Sequence, residues 1–293
     1  MIDKSWKLPM WYGRAYLGLV ITVFFLLALG GSVRAMKAGL ACPDWPLCFG
    51  NVIPDYHPQV YFEFIHRLVA GLVGIGTLVL QALLMRSRAP RHLKILASLS
   101  LVILLTQVIF GALTVLLLLK SGIVATHLAL GAGFFITLLW ILLSLSKREG
   151  GLSAEPRWLL LWAGFVSLAV FAQILLGGLV AANFAALVCI DFPKCHGEWF
   201  PTFAGIIGLH VIHRLGGYTV FVVTLANCLI MRRVAYSPRV RKTAAVLFFH
   251  VCGQVGLGIA NVLLLTPPLI TVLHLAMAMA ILAFSVRQLH LLA

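Results

Sequence analysis

Four histidines in this chain keep a spacing that isolated residues do not. His66 and His213 both stand in the tripeptide HRL, and His127 and His274 follow them further along, each pair of equivalent positions 147 residues apart. An ionisable side chain within an apolar helix is costly, so such a residue is read first as functional. A lone one is as well explained by a hydrogen bond to a neighbouring helix. His250 reads that way, since the position 147 before it is Ile103. Two equivalent pairs point instead to cofactor ligation. A bare zinc ion would take four protein ligands, or three and a water, whereas each pair here sits among Leu, Val, Ile, Phe and Gly with few carboxylates nearby. Two imidazoles on facing helices can hold a planar iron porphyrin from both sides, and bundle interiors are where such cofactors sit. Gly71, Gly74, Gly76 and Gly111 would make room for a macrocycle, or serve ordinary close helix packing.

The elements that carry these histidines are membrane spans. The chain has 293 residues with a mean hydropathy of +1.06 and only 10% charged residues, against about 25% in soluble domains. Apolar runs at 14–36, 62–85, 93–119, 122–145, 158–182, 203–231, 240–264 and 269–290 each suit a transmembrane helix of roughly 20 residues. The first has no small-residue cleavage site after it and reads as a span, not a signal peptide. His66 and His127 each lie a few residues into their spans from the same side, roughly 6–9 Å below the surface at the helical rise.

A net charge of +14 would suit nucleic acid, but its placement does not. The connections at 86–94 and 232–242 carry four and five Arg/Lys with no acid, and 147–157 carries three against two Glu. This is the positive-inside pattern. It predicts a multi-pass protein of the plasma membrane, both termini cytoplasmic and the alternate connections outside. The cations are topology signals, with contact to anionic lipid as a further use, and a nucleic-acid partner is set aside.

The spacing of 147 runs through the whole chain. "CPDWPLC" (42–48) matches "CIDFPKC" (189–195), the segment opening at Gly30 matches the one opening at Gly177, and "QVIFGALTVLLL" (107–118) matches "QVGLGIANVLLL" (254–265). One offset held without gaps predicts two four-helix units, 1–146 and 147–293. An even number of spans per unit gives both the same orientation, so the expected fold is an all-α integral membrane protein of eight transmembrane helices in two parallel-repeat four-helix bundles. An inverted-repeat transporter is disfavoured on that ground. Outside the cell, local disulfides Cys42–Cys48 and Cys189–Cys195 would persist, with free thiols or a redox relay as the other reading. Attachment of a c-type heme would need C-x-x-C-H, which is absent. Cys228 and Cys252 read as small apolar fillers.

The units differ beside their first histidine: Glu63 stands where the second unit has His210. A three-residue step puts Glu63 and His66 on neighbouring faces of one helix, so one site would do chemistry and the other carry electrons or stabilise. The plainer reading leaves Glu63 solvated at headgroup level. Arg67 and Arg214 follow the histidines directly and need an anion or an escape to the interface. Heme propionates would serve, and so would snorkelling.

The E-x-x-H-R motif at Glu63–Arg67, the four histidines, the eight spans and the outward cysteine loops together resemble the heme A synthases of the cytochrome oxidase assembly pathway, in their bacterial form with cysteine pairs, over nearly all of the chain. That resemblance implies a membrane oxidoreductase that makes heme A from heme O by oxidising a ring methyl to a formyl group, through two hydroxylations and loss of water. It implies a resident heme b on His213 and His274, the substrate heme O facing His66 and His127 with all four histidines as axial ligands, and Glu63 acting beside the substrate ring. A heme O synthase upstream, an oxidase downstream and an electron acceptor would be its partners, beside the lipid bilayer, and a homo-oligomer is compatible with it. His210 departs from the pattern as an additional ligand or donor. The cysteine loops would cap the outward face near both hemes, with Trp45 or Phe192 at the interface. The rival reading is a b-type cytochrome that only passes electrons and binds two identical hemes. A transporter or heme carrier is a third, disfavoured by the parallel repeat.

Overall fold

The computed structural model describes residues 8–145, 155–199 and 201–293. Eight long helices fall on the eight apolar runs: α1 (Met10–Ala35), α2 (Pro58–Arg86), α3 (Arg91–Leu116), α4 (Ser121–Leu145), α5 (Arg157–Ala182), α6 (Gly205–Val234), α7 (Pro238–Leu263) and α8 (Pro268–Leu292). Each is long and apolar enough to cross a membrane. Prolines set most of the starts. Pro58, Pro238 and Pro268 open the first turns of α2, α7 and α8, and Pro9, Pro90 and Pro156 immediately precede α1, α3 and α5. Proline has no N–H to leave unsatisfied there and its φ is already helical. This moves the start of α2 outward from the expected residue 62 to Pro58.

Helix α1 ends in a Schellman motif: Ala38 N donates to Val33 O and Lys37 N to Arg34 O. Lys37 stands at φ 55°, in the left-handed region usually left to glycine. Phe184 does the same after α5, at φ 54°. At both places the chain turns off the helix end and into a cysteine loop.

The distribution of polarity is inverted relative to a soluble protein. Leu72, Leu161 and Val222 are 61%, 76% and 62% exposed, while Thr77, Gln81, Thr224 and Asn227 are fully buried. Apolar side chains lose nothing facing lipid, and polar groups must find partners inside. They do. Tyr12 Oη donates to Leu80 O and Gln81 Nε2 to Tyr16 Oη, both at 2.9 Å, and Asn227 and Gln288 exchange two amide hydrogen bonds of 3.0 Å.

Contacts divide the chain into two compact units, Met1–Leu119 with Ala129–Glu149, and Lys120–Leu128 with Gly150–Ala293. In the first, α1 packs on α2 and α2 on α3. Helix α4 joins them through Phe24 against Phe135 and through Gly131, where a Cβ would stand 2.9 Å from Leu27 and 3.1 Å from Gln107. In the second, α5 to α8 close into a ring, each packing on the next and α8 returning to α5. The expected boundary between residues 146 and 147 lies outside the described residues, as does most of the 147–157 connection.

Candidate functional site

His66 and His213 lie eight residues past the starts of α2 and α6, and His127 and His274 lie six past the starts of α4 and α8. At the helical rise these are depths of about 12 and 9 Å along the helices. The first exceeds expectation because α2 begins earlier. His213 and His274 are within electrostatic reach of one another. His127 lies in the stretch Lys120–Leu128 that groups with the second unit.

Three of the rings are seated against glycine on a neighbouring helix. A Cβ at Gly30 would stand 3.1 Å from His66 Cε1, one at Gly177 would stand 3.0 Å from His213 Cε1, and one at Gly258 would stand 3.2 Å from His274 Cε1. Each glycine therefore fixes how closely α1, α5 or α7 approaches its histidine. Three of the four glycines marked from sequence behave otherwise: a Cβ on Gly71 or Gly74 would meet open space, and one on Gly76 would be an ordinary 3.8 Å from Leu19. Gly30 and Gly177 open the repeated segment, and Gly258 repeats Gly111, so the signal was present in the 147-residue spacing.

Sequence reasoning also missed two glutamines. Gln173 Nε2 lies 3.1 Å from His213 Nδ1 and donates to His213 O at 2.8 Å. Gln254 Nε2 lies 3.2 Å from His274 Nε2. The carboxamide oxygens of both, and His274 Nδ1, are buried without a hydrogen-bond partner. Neutral ring nitrogens backed by amides, with no carboxylate among them, suit two axial positions on a macrocyclic iron better than a bare cation.

Both disulfides are formed, each with a Cα–Cα distance of 4.8 Å. Inside the first ring Asp44 accepts from Phe49 N and Gly50 N, both at 2.7 Å, and inside the second Asp191 accepts from His196 N and Gly197 N at 2.9 Å. The Gly50 N–H, then the Phe49 N–H, hold the Asp44 carboxyl below its ordinary range, and the Gly197 and His196 N–H groups do the same for Asp191.

The arginines reach into these loops. Arg67 Nη1 donates to Asp44 O and Leu47 O at 2.7 Å, and Nη2 to Cys42 O at 3.1 Å and Glu63 Oε1 at 2.6 Å. Arg214 donates to Lys194 O, Cys189 O and Asp191 O at 2.8–2.9 Å. Besides propionates and headgroups, backbone carbonyls are thus a third set of acceptors, and the structure uses them. Glu63, 4% exposed, completes the first clamp by accepting Cys42 N–H at Oε2, 3.1 Å away. Its counterpart His210, equally buried, accepts from Arg214 Nε at 3.2 Å. Both side chains hold their arginine, so tethering alone does not distinguish them. What distinguishes Glu63 is its negative charge.

A family model described as a cytochrome oxidase assembly protein matches residues 14–60 and 55–286. The chain is 33% identical over 231 residues to the heme A synthase of Halalkalibacterium halodurans, covering 75% of this chain and 74% of that protein. It is 29% identical to the heme A synthase of Shewanella oneidensis, covering 87% and 88%, and 31% identical to that of Shouchella clausii, covering 86% and 87%.

Proposed function

The chain belongs to the heme A synthase family of cytochrome oxidase assembly proteins, and from that premise we propose that it converts heme O to heme A within the membrane, using its two histidine pairs unequally. His213 and His274 would hold a resident heme b, which would supply one-electron redox chemistry there. His66 and His127 face the substrate heme O. The repeated spacing of 147 supports reading residues 1–146 and 147–293 as two parallel four-helix units, with the cysteine loops outside and both termini in the cytoplasm.

The observation that carries the assignment of sides is the charge at Glu63. Oxidising a ring methyl builds positive charge at that carbon, and a fixed carboxylate in a low-dielectric site stabilises it. Arg67 and the Cys42 N–H hold both carboxylate oxygens in place, so orientation is set before substrate arrives. Accepting the methyl proton would require Arg67 to release Oε1. Arg67 and Arg214 act at the heme sites by holding the cysteine loops over them, with heme propionates as further acceptors. His210 contributes as the acceptor of Arg214.

The test is acid–acetone extraction and chromatography of the hemes bound to the purified protein after co-expression with a heme O source. The expected result is heme B with heme O or heme A, and loss of heme A but not of bound heme in Glu63→Gln. Heme B alone on both histidine pairs would sink the reading in favour of an electron-transfer cytochrome.

A further inference from the structure

We propose that Gly178 is a positioning residue for His127: by seating Leu128 against α5, it fixes the turn of α4 that presents His127 to the substrate. The proposal rests on the reading that His127 faces heme O.

Gly177 and Gly178 are consecutive on α5 and admit different neighbours. A Cβ on Gly177 would stand 3.0 Å from the His213 ring, whereas one on Gly178 would stand 2.6 Å from Leu128 Cδ2 and 3.8 Å from Leu128 Cγ. Successive residues of a helix point about 100° apart, so one short stretch of α5 serves both α6, through His213, and α4, through Leu128. Leu128 directly follows His127 in the chain. The stretch Lys120–Leu128 groups with α5 to α8 in the second unit, and the grouping of α4 changes at Ala129. Deeper along α4 the seat is a different one. A Cβ on Gly131, one turn past His127 on the same face, would meet Leu27 at 2.9 Å and Gln107 at 3.1 Å.

The consequence is geometric. The outward end of α4 consists of ten residues, Ser121 to Leu130, ahead of the seat at Gly131. The first N–H groups of a helix have no partner within it, so this end depends on contacts made by its side chains. Leu128 against Gly178 is such a contact, and it sets the height and rotation of the neighbouring imidazole. A separation of 2.6 Å is too short for two carbons, which settle at about 3.5–4.0 Å. An alanine at 178 is accommodated when the leucine methyl rotates away. A valine brings two further carbons on a stiff χ1, and the turn carrying His127 must then retreat by about 1 Å. A shift of that size at a positioned group can cost about a hundredfold in rate.

Four variants loaded with heme b test this: Gly178→Val, Gly178→Ala, Gly178→Val with Leu128→Ala, and His127→Ala. Ferric heme O is titrated into each and followed by difference absorbance, and the low-spin iron signals of both hemes are recorded by electron paramagnetic resonance. Gly178→Val is expected to weaken heme O binding about tenfold or more and to move the heme O signal, with heme b content and signal unchanged. Adding Leu128→Ala removes the methyls that the valine meets and should restore both. Damage to packing elsewhere would not be repaired by that one truncation. Gly178→Ala should show a smaller loss in the same direction, and it keeps the proposal testable if Gly178→Val does not fold. Unchanged heme O binding in Gly178→Val, or in Gly178→Ala where the valine variant does not fold, overturns the proposal. So does a failure of Leu128→Ala to restore binding, or an equal loss of heme b. Each of these leaves the assignment of His127 standing. Wild-type heme O binding and signal in His127→Ala overturns that assignment and the proposal with it.

Discussion

Replacing Arg67 with alanine should free the Cys42–Cys48 loop from α2, and the size of the effect can be worked from its contacts. Four acceptors lose a charged donor at once: the carbonyls of Asp44, Leu47 and Cys42, and Glu63 Oε1. Asp44 and Leu47 lie in an exposed loop, where water replaces the guanidinium at little cost. The cost is concentrated at Glu63, whose side chain is only 6% exposed and whose partner is 16% exposed. Breaking a buried ion pair costs about 3–5 kcal/mol, and the partial exposure of the arginine argues for about 3. That is roughly a hundredfold in the opening equilibrium of the loop. Hydrogen exchange followed by mass spectrometry reads it directly at the amides of Cys42, which donates to Glu63, and Cys48, which donates to Asn51 O. The loop at 189–199 serves as the internal control, and Arg214→Ala should reverse the roles of the two. Arg67→Lys should fall between, because an ammonium cannot fork to several carbonyls. If the 42–52 amides keep wild-type protection in Arg67→Ala, the clamp is not what holds the loop.

Other consequences are independent of that one. Gly177→Val forces the His213 ring from its seat, an overpacking cost of about 1–3 kcal/mol. Heme b binding followed by absorbance should weaken, while Gly71→Ala, with open space before it, should change nothing. Gln288→Leu strands Asn227 in the core of the second unit and should lower stability by about 1–2 kcal/mol, seen in thermal unfolding in detergent. Adding Asn227→Leu should recover part of it, and no recovery would refute the pairing. Asp44 titrates below its ordinary value of 3.8, so its contribution is complete above that value and is lost as pH falls through the depressed one. Exchange protection at Phe49 and Gly50, corrected for intrinsic rates, should hold from pH 7 to about 4; a loss already between 7 and 5 would show that Asp44 does not hold them.

Periodicity and composition made the eight helices legible, because lipid demands long uninterrupted apolar runs and tolerates little else. His66, His127, His213 and His274 stood out in the sequence because one spacing of 147 relates them in pairs. The closure of both cysteine rings was legible from the outward position that the charge pattern leads one to expect of them. What those rings bind was not. A guanidinium captured by the carbonyls of a loop some twenty residues earlier leaves no trace in residue type, since every residue carries a carbonyl. The spacing of 147 marked the positions of Gly30, Gly177 and Gly258 but not their roles: glycine is common in membrane helices, and only the approach of a ring separates the glycines that are needed from those that are not. Glu63 and His210 looked like a contrast between chemistry and its absence. The structure shows a shared task as well, holding an arginine, beneath the difference in charge.

The seam between α1 and α2 is fastened by buried hydrogen bonds at one end and by a single exposed one, from Gln59 Nε2 to Met36 O at 3.0 Å, at the other. Tyr12 and Tyr16 bind Leu80 O and Gln81 at the base, whereas Gly30 meets His66 near the opposite end by bare contact. From Tyr16 to Gly30 is a lever arm of about 21 Å at the helical rise. Swinging α1 outward by about 8° on that hinge would part it from His66 by about 3 Å, leaving the buried fastening at the fulcrum intact and giving up the exposed Gln59–Met36 hydrogen bond to water. The leverage thus favours motion at the imidazole, and the gap so made would face the bilayer, the phase in which a farnesylated tetrapyrrole is dissolved.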